Sequence, residues 1–143
     1  MPPREKHIRA EASLSQLETV VDSIIGFAAE CGLPREALDE IHLAVDEACT
    51  NIINYAYPAG VPGPLEAVCR YDEAGGFSVV LRDRGKPFDP TSIPSPRLDQ
   101  DLEHRPIGGL GIFLMKQMMG DLRYRRRPDG INELTMSKLP PCR

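Results

Sequence analysis

The sequence predicts an α+β two-layer sandwich, in which one mixed, largely antiparallel sheet carries helices on one of its faces. Three observations favour this class. Two segments with apolar residues at helical spacing follow one another near the N-terminus, two alternating segments come next, and a third helical segment precedes two more alternating segments. Strands and helices that do not alternate regularly are typical of this class. The chain has 143 residues, which suits a single domain over residues 1–143.

The first half of the chain is predicted to hold one strand and two helices. Residues 4–10 alternate as a short strand does, and Ser13 suits the N-cap of a helix that ends at Gly32. Pro34 stands where a first-turn proline belongs, and it opens a second helix that ends near Tyr57. Each helix collects its apolar residues on one side, so we expect both to pack against the sheet.

The second half is predicted to hold four strands and one helix. The four alternating segments comprise residues 65–71, 77–83, 122–127 and 131–138. A glycine-containing turn joins the first two as a hairpin, and residues 109–119 are predicted to form the helix. Residues 88–107 contain several prolines and charges and show little periodicity. Because a loop of this length is more often functional or mobile than inert, we predict a lid there.

Composition and charge argue against several classes of protein. The net charge is −4, so nothing in the overall charge points to direct nucleic-acid binding or to a membrane surface. No segment is long and apolar enough to span a bilayer, and the N-terminus lacks the apolar core of a signal peptide. The 4 cysteines are not spaced as a zinc site or a disulfide framework. We therefore expect reduced thiols in a cytoplasmic protein.

The most informative segment is residues 43–53. It is apolar at helical spacing, yet it carries Glu47 and Asn51 one helical turn apart, and residues at this spacing share a helix face. A carboxylate and a carboxamide are costly to bury without a polar partner. This face is therefore predicted to meet a polar ligand, such as a metal-bound nucleotide.

A second polar position closes the strand predicted over residues 77–83. Asp83 shares a strand face with apolar residues, and Gly85 follows it. A carboxylate there can accept a hydrogen bond from the exocyclic amine of adenine, whereas guanine presents an oxygen that it would repel. Gly85 has no side chain, which lets the backbone approach a base closely. Taken alone, this segment is more typical of an ordinary turn.

A glycine-rich segment opens the third predicted helix, with Gly108, Gly109, Leu110 and Gly111 in succession. Backbone N–H groups and the helix dipole favour phosphate oxygens at such an N-terminus, and the glycines also suit a hinge. The alternative is a flexible junction without a ligand. Arg105 precedes the glycines in the predicted lid and is a candidate clamp for a γ-phosphate.

Together these segments resemble the N box and the two glycine boxes of the GHKL ATPase superfamily. The stretches LAVDEACTNIINYAY, DRGKPFDP, GGLGIFLMKQMM and INELTMSK are similar to the anti-sigma-factor serine-protein kinases, and the resemblance runs from about Arg4 to Lys138. It implies the GHKL type of sandwich with ATP and Mg²⁺ as ligands. It also implies that Asn51 gives an oxygen to Mg²⁺ and that Glu47 accepts a proton from an attacking hydroxyl. Thr135, on the last strand, would reach the adenine site.

The same resemblance implies a function. Such a protein would be an ATP-dependent serine-protein kinase and an anti-sigma factor. It would phosphorylate a serine of an anti-anti-sigma antagonist, sequester an alternative sigma factor, and form a homodimer. Two alternatives stay open, namely a non-catalytic ATP-binding regulatory module and a related kinase in a partner-switching pathway without a sigma factor. The boxes do not discriminate among these functions, because partner surfaces lie outside them.

Overall fold

The structure of the protein is a computed structural model, and it describes residues 3–92 and 109–138. Five strands and three α-helices make up most of this part of the chain. In chain order they are β1 (Arg4–Glu11), α1 (Leu14–Glu30), α2 (Arg35–Asn51), β2 (Pro64–Asp72), β3 (Gly76–Asp83), α3 (Gly109–Met118), β4 (Asp121–Arg126) and β5 (Asn132–Lys138). A π-helical turn, Ile52–Ala56, continues α2, and a short 3₁₀ turn covers Pro90–Ser92. The expected order of elements is confirmed.

The strands form one sheet in the order β1-β2-β3-β5-β4. All four neighbouring pairs are antiparallel, so the described sheet is not mixed as the sequence had suggested. The connections from β1 to β2, from β2 to β3 and from β4 to β5 each return the chain to the end of the sheet that it has just left. The passage through α3 instead carries the chain to the opposite end, so β4 runs parallel to β3, but β5 lies between these two strands. Two consecutive helices bring Pro64 back opposite Glu11, and the passage through α3 and β4 brings Asn132 opposite Asp83. The α+β sandwich itself is confirmed.

The ends of the first two helices follow local chemistry. Ser13 is extended before α1, as an N-cap residue should be, although its side chain makes no capping hydrogen bond. Gly32 has a φ of 89°, the left-handed conformation that commonly ends helices. Pro34 is the N-cap of α2 rather than its first residue, a one-position difference from the prediction.

The core lies between the helices and one face of the sheet. Apolar side chains from all three helices meet alternate residues of the strands, and the largest of them are almost fully buried. They include Ile24, Ile41, Val45, Phe77, Leu81, Ile112, Met115 and Met136. Burial of one such side chain contributes about 1.5–3 kcal/mol, so this layer is what holds the helices on the sheet. None of the helices in the described part of the chain has the length and apolar character needed to span a bilayer.

The other face of the sheet carries a row of alternating charges. Its members are direct cross-strand neighbours, and in sheet order they are Arg9, Glu66, Arg82, Glu133 and Arg125. Arg82 lies at the centre, 2.8 Å from Glu66 and 2.7 Å from Glu133. Opposite charges on facing strands stabilise their pairing. Charged side chains of this kind suit a sheet face that no helix covers within residues 3–92 and 109–138.

Candidate functional site

A pocket opens where the C-terminal end of α2 faces the ends of β3 and β5. It is lined by Ala48, Asn51, Ile52, Ala56, Asp83, Lys86, Phe88, Pro90, Met115, Tyr124, Asn132 and Leu134. Most of these side chains are apolar, and a few polar groups converge among them, which is typical of small-molecule sites. The structure therefore brings together Asn51 and Asp83, two of the residues that the sequence singled out.

Asp83 occupies the last position of β3 and is buried, with 7% of its surface exposed. Its Oδ1 accepts hydrogen bonds from the Gly85 N–H at 2.9 Å and from Asn132 Nδ2 at 2.8 Å. Burial raises the pKa of Asp83, while these two bonds and the nearby charge of Arg126 partly offset that rise. No donor within residues 3–92 and 109–138 bonds its Oδ2, so that oxygen stays open to a ligand.

Gly85 brings the loop after β3 close to the π-helical turn. A Cβ at this position would overlap the Ala56 carbonyl and lie 2.6 Å from the Ala56 Cβ. The adjacent Lys86 N–H donates to the same carbonyl at 2.9 Å. The missing side chain thus lets two walls of the pocket join, a role that the sequence did not reveal. Its predicted approach to a base stays a prediction.

Tyr57 ties the end of the π-helical turn to the sheet. Its hydroxyl donates to the Pro64 carbonyl and accepts from the Arg84 N–H, each at 2.7 Å. Burial raises the pKa of Tyr57. Because π-helical turns interrupt the regular helical bonding, they are rare and frequently found at functional sites. Here the turn and Tyr57 together place the end of α2 beside Asp83.

Glu47 and Asn51 lie on α2 at the predicted spacing. Asn51 Nδ2 is buried and has no hydrogen-bond partner in the described structure. A buried amide without a partner is unusual in a folded protein, and it fits a site completed by a ligand. The Glu47 carboxylate lies against Gly111, where a Cβ would overlap it. The polar face of α2 therefore meets the first turn of α3, and its predicted contact with a nucleotide stays a prediction.

The amide oxygen of Asn51 is a suitable ligand for a Mg²⁺ ion that phosphates also coordinate. Across the described ranges, no group of three or more His, Cys, Asp or Glu side chains forms a metal site of its own. Mg²⁺ prefers hard oxygen ligands and is usually bound by one or two protein oxygens together with phosphates and water. A carboxamide beside the buried end of α2 fits that pattern.

Asn132 is the site residue that the sequence analysis missed. It begins β5 opposite Asp83, is 4% exposed, and donates from Nδ2 to Asp83 and to the Gly85 carbonyl. A signal was available, because Asn132 has the same strand parity as the apolar Leu134 and Met136 and so faces the core. A polar residue in that position needs a polar partner, as Asp83 does.

Thr135 is not brought to the pocket. It lies between Leu134 and Met136 on β5, so its side chain is on the opposite face of the sheet. Its cross-strand neighbours are Val80 and Arg123. Strand alternation thus separates Thr135 from Asp83 and places Asn132 beside it instead.

Several predicted site residues fall partly or wholly outside the described chain. Arg105 and Gly108 lie outside it, and their roles stay predictions. Gly109 and Leu110 begin α3 as expected. Only the start of the predicted lid, 88–107, is described, and there the Phe88 ring stacks on Tyr55 with centroids 5.7 Å apart.

Comparison with known proteins agrees with this geometry. A family model of the histidine kinase-like ATPase domain matches residues 10–138. The chain is 37% identical over 95 residues to the serine/threonine-protein kinase BtrW of Bordetella bronchiseptica, with 66% of each chain covered. It is 28% identical over 105 residues to the serine-protein kinase RsbW of Bacillus cereus, which covers 71% of this chain and 64% of that relative. The chain thus spans slightly less than two thirds of the length of these relatives.

A solved structure shows the same fold. The structure of the RsbU and RsbW domains of a Mycobacterium tuberculosis protein matches this chain with a TM-score of 0.63 and 19% identity. The match covers 100% of this chain and 34% of the chain in that structure. At that identity the likeness concerns the fold alone. The family match, in contrast, extends from the last two residues of β1 to the end of β5 and includes every described residue of the pocket. The chain belongs to the histidine kinase-like ATPase domain family.

Proposed function

We propose that the protein binds ATP with Mg²⁺ in this pocket and transfers the γ-phosphate to a serine of a partner protein. One observation carries the proposal: Asn51 of α2 and the buried Asp83 line one pocket, and one turn before Asn51 the Glu47 carboxylate lies against Gly111 in the first turn of α3. Similarity to two proteins named as serine or serine/threonine kinases supports this activity.

Different residues would bind the base, the metal ion and the phosphates of the nucleotide. The open Oδ2 of Asp83 would accept a hydrogen bond from the exocyclic amine of adenine, and the apolar walls would contact the ring. Asn51 would hold Mg²⁺ through its amide oxygen, and the ion would neutralise part of the phosphate charge. The N-terminal end of α3, with Gly109 and Gly111, would present backbone N–H groups to phosphate oxygens.

Glu47 would act on the nucleophile. As the serine oxygen forms a bond to the γ-phosphorus, its proton passes to the Glu47 carboxylate, and the bond to the oxygen bridging the β- and γ-phosphates breaks to release ADP. The products are phosphoserine and ADP. The position of Glu47 against the first turn of α3 supports this role, because phosphates bound at that helix end would lie beside the carboxylate.

The resemblance of the boxes to anti-sigma-factor kinases supports a regulatory role for the transfer. The substrate would be an anti-anti-sigma antagonist, and the protein would sequester an alternative sigma factor in the cytoplasm as a homodimer. Phosphorylation adds about −1.5 to −2 charges to the antagonist serine. That charge, next to the phosphates of the nucleotide, would weaken the complex and release the antagonist.

Incubation with γ-labelled ATP, Mg²⁺ and an antagonist encoded by the same genome tests the proposal. We expect label on a serine of the antagonist. Glu47→Gln should still bind ATP but transfer slowly, whereas Asp46→Asn, which alters the neighbouring carboxylate on another face of α2, should transfer at the wild-type rate.

Two results would count against this function. Transfer by Glu47→Gln at the wild-type rate would remove Glu47 as the base. Tight ATP binding without label on any antagonist of the same genome would favour the non-catalytic binding module.

A further inference from the structure

We propose that Asn132 is a positioning residue that keeps Asp83 an obligate hydrogen-bond acceptor and thereby makes the site prefer 6-amino over 6-oxo purine nucleotides. The inference rests on the proposed ATP site and deepens it. Base selection is assigned to a pair of side chains, of which only Asp83 would touch the base.

The orientation of the Asn132 amide is fixed from the β4 side. Arg126 Nη1 lies 2.9 Å from Asn132 Oδ1, and the Tyr124 hydroxyl donates to the same atom at 2.6 Å. A guanidinium group only donates hydrogen bonds, so the amide atom that it contacts must be the oxygen. The Nδ2 group of Asn132 is therefore turned toward β3.

On that side Asn132 meets acceptors only. Its Nδ2 lies 2.8 Å from Asp83 Oδ1, 3.0 Å from the Gly85 carbonyl and 3.3 Å from the Lys86 carbonyl. The Gly85 N–H also donates to Asp83 Oδ1, at 2.9 Å. Two donors on one carboxylate oxygen favour the ionised form of Asp83. They also turn the carboxylate so that Oδ2 is the oxygen left for a ligand.

This arrangement matters because an aspartate side chain accepts hydrogen bonds only when it is ionised and can donate one when it is protonated. Burial favours the protonated form, and a protonated Oδ2 would donate a hydrogen bond to the carbonyl of a 6-oxo purine. The ionisable groups around Asp83 include Arg126 on β4, Tyr57 after the π-helical turn, and Arg84 and Lys86 in the loop after β3. From α2, the pocket receives the uncharged Asn51. Asn132, on β5, is thus the uncharged donor whose hydrogen bond disfavours protonation of Asp83.

Asn132→Asp is the decisive variant, because it keeps the size of the side chain and its bonds to Tyr124 and Arg126 but replaces the donor facing Asp83 with an acceptor. Calorimetry on the full chain with Mg²⁺ would compare ATP with inosine triphosphate, which differs from ATP at the 6-position. In the wild type ATP should bind more tightly. In the variant we expect the ratio of the two affinities to fall roughly 10-fold or more, the effect of one charge-assisted hydrogen bond.

The pH profile separates this role from a merely structural one. ATP affinity of the wild type should fall only at acid pH, whereas that of Asn132→Asp should fall at a higher pH, because Asp83 then takes up a proton more readily. The matched control is Ser78→Asp, which adds a carboxylate to the outer face of β3 opposite Arg70. It should leave both the ratio and the profile unchanged.

A second variant covers the case in which Asn132→Asp does not fold. Arg126 is exposed, so Arg126→Met should fold. It removes one of the two donors that hold Asn132 Oδ1, together with the positive charge that disfavours protonation of Asp83. The affinity ratio should fall in the same direction. An unchanged ratio in either folded variant, with a wild type that binds ATP, overturns this inference and leaves the ATP site standing. A wild type that binds neither nucleotide overturns the proposed function and this inference together.

Discussion

Asp83 shows how a binding residue acts against stability. Burial raises its pKa, so Asp83 takes up a proton more readily in the folded state than in the unfolded chain. The stabilisation from this group is fully present below the unfolded pKa of about 3.9 and is lost as the pH rises through the higher folded pKa. At neutral pH the ionised carboxylate therefore costs stability, and the benefit is an acceptor in the pocket.

Asp83→Asn should separate these two effects. The Oδ1 atom of the new side chain can still accept from Gly85 and Asn132, and the buried charge is gone. We expect the free energy of unfolding in urea at pH 7 to stay the same or to rise, while ATP binding weakens by about 1–3 kcal/mol. Asp72→Asn is a suitable control, because Asp72 also ends a strand and accepts from a backbone N–H, but outside the pocket. A parallel loss of stability and binding would contradict this explanation.

Gly111 offers a second prediction for a single residue. A Cβ at this position overlaps the Glu47 carboxylate, which is the far end of a flexible side chain and can move aside. Gly111→Ala should therefore leave the fold intact and displace Glu47. We expect single-turnover phosphoryl transfer to slow toward the rate of Glu47→Gln, with a smaller change in ATP affinity.

Two comparisons test that coupling. In a Glu47→Gln background, Gly111→Ala should add little, since both changes act on the same group. Gly26→Ala, in α1, is the matched control because no atom lies within 4 Å of the position its Cβ would take. If the effects of Gly111→Ala and Glu47→Gln simply add, Gly111 does not position Glu47.

The site residues differ in how far the sequence could reveal them. Glu47, Asn51 and Asp83 were predicted because each is a polar side chain on an otherwise apolar helix or strand face. Asn132 was missed because it follows a turn segment, where asparagine is common. Its partner Asp83 lies 49 positions away in the chain, and no local pattern shows that the two are adjacent.

At the scale of elements, periodicity predicted the helices and strands well, and the order of strands could not be predicted in the same way. Helical and strand patterns are local, whereas the position of β5 between β3 and β4 depends on contacts between distant segments. The charged row becomes visible only with the register, since Glu66, Arg82 and Glu133 are far apart in sequence. The predicted sheet was largely antiparallel, but no local pattern showed that all of its described strands pair in this way.

The charged row should contribute measurably to sheet stability. Arg82 is 29% exposed and bridges Glu66 and Glu133, and its bond to Glu66 lowers the pKa of that carboxyl. That stabilisation is present above the unfolded pKa of Glu, about 4.3, and is lost as the pH falls through the folded value. Arg82→Met should destabilise the protein by about 1–2 kcal/mol at pH 7, because it leaves two carboxylates without their shared partner.

Urea unfolding at two pH values checks this prediction. Because the bond to Arg82 lowers the pKa of Glu66, the deficit of Arg82→Met should be smaller at the acid pH, as this carboxyl gains a proton, than at pH 7. Arg125→Met is the control, since Arg125 belongs to the same row but is 71% exposed and 4.0 Å from Glu133. If the two substitutions destabilise the protein equally, Arg82 contributes no more to stability than a residue at the edge of the row.

At the scale of the molecule, the two faces of the sheet have separate tasks. The helical layer holds the core and the pocket, and α2 belongs to both because its buried residues alternate with the polar face that carries Glu47 and Asn51. Cys49 lies between those two residues and is almost fully buried. Burial raises its pKa from 9.0 to about 12, and that of Cys69 to about 12 as well. Both thiols should therefore resist reagents until the fold opens.

The rate of thiol labelling can thus show whether ATP binding stabilises the whole fold. In a Cys142→Ser protein at pH 8, the partly exposed Cys31 should react first, and Cys49 should react at a rate set by opening of the core. Saturating Mg-ATP at about 100 times its dissociation constant should stabilise the folded state by about 2.7 kcal/mol and slow the labelling of Cys49 roughly 100-fold.

Asp83→Asn supplies the control for that experiment, because it should keep the fold while it weakens ATP binding. At one fixed ATP concentration the protection of Cys49 should therefore fall in this variant, whereas the rate without ATP should stay near that of the wild type. Labelling of Cys31 should change little in either protein, since this thiol lies at the end of α1 and is already accessible in the folded state. Protection of Cys49 that survives Asp83→Asn in full would mean that ATP stabilises the molecule from a site other than the pocket between α2 and β3.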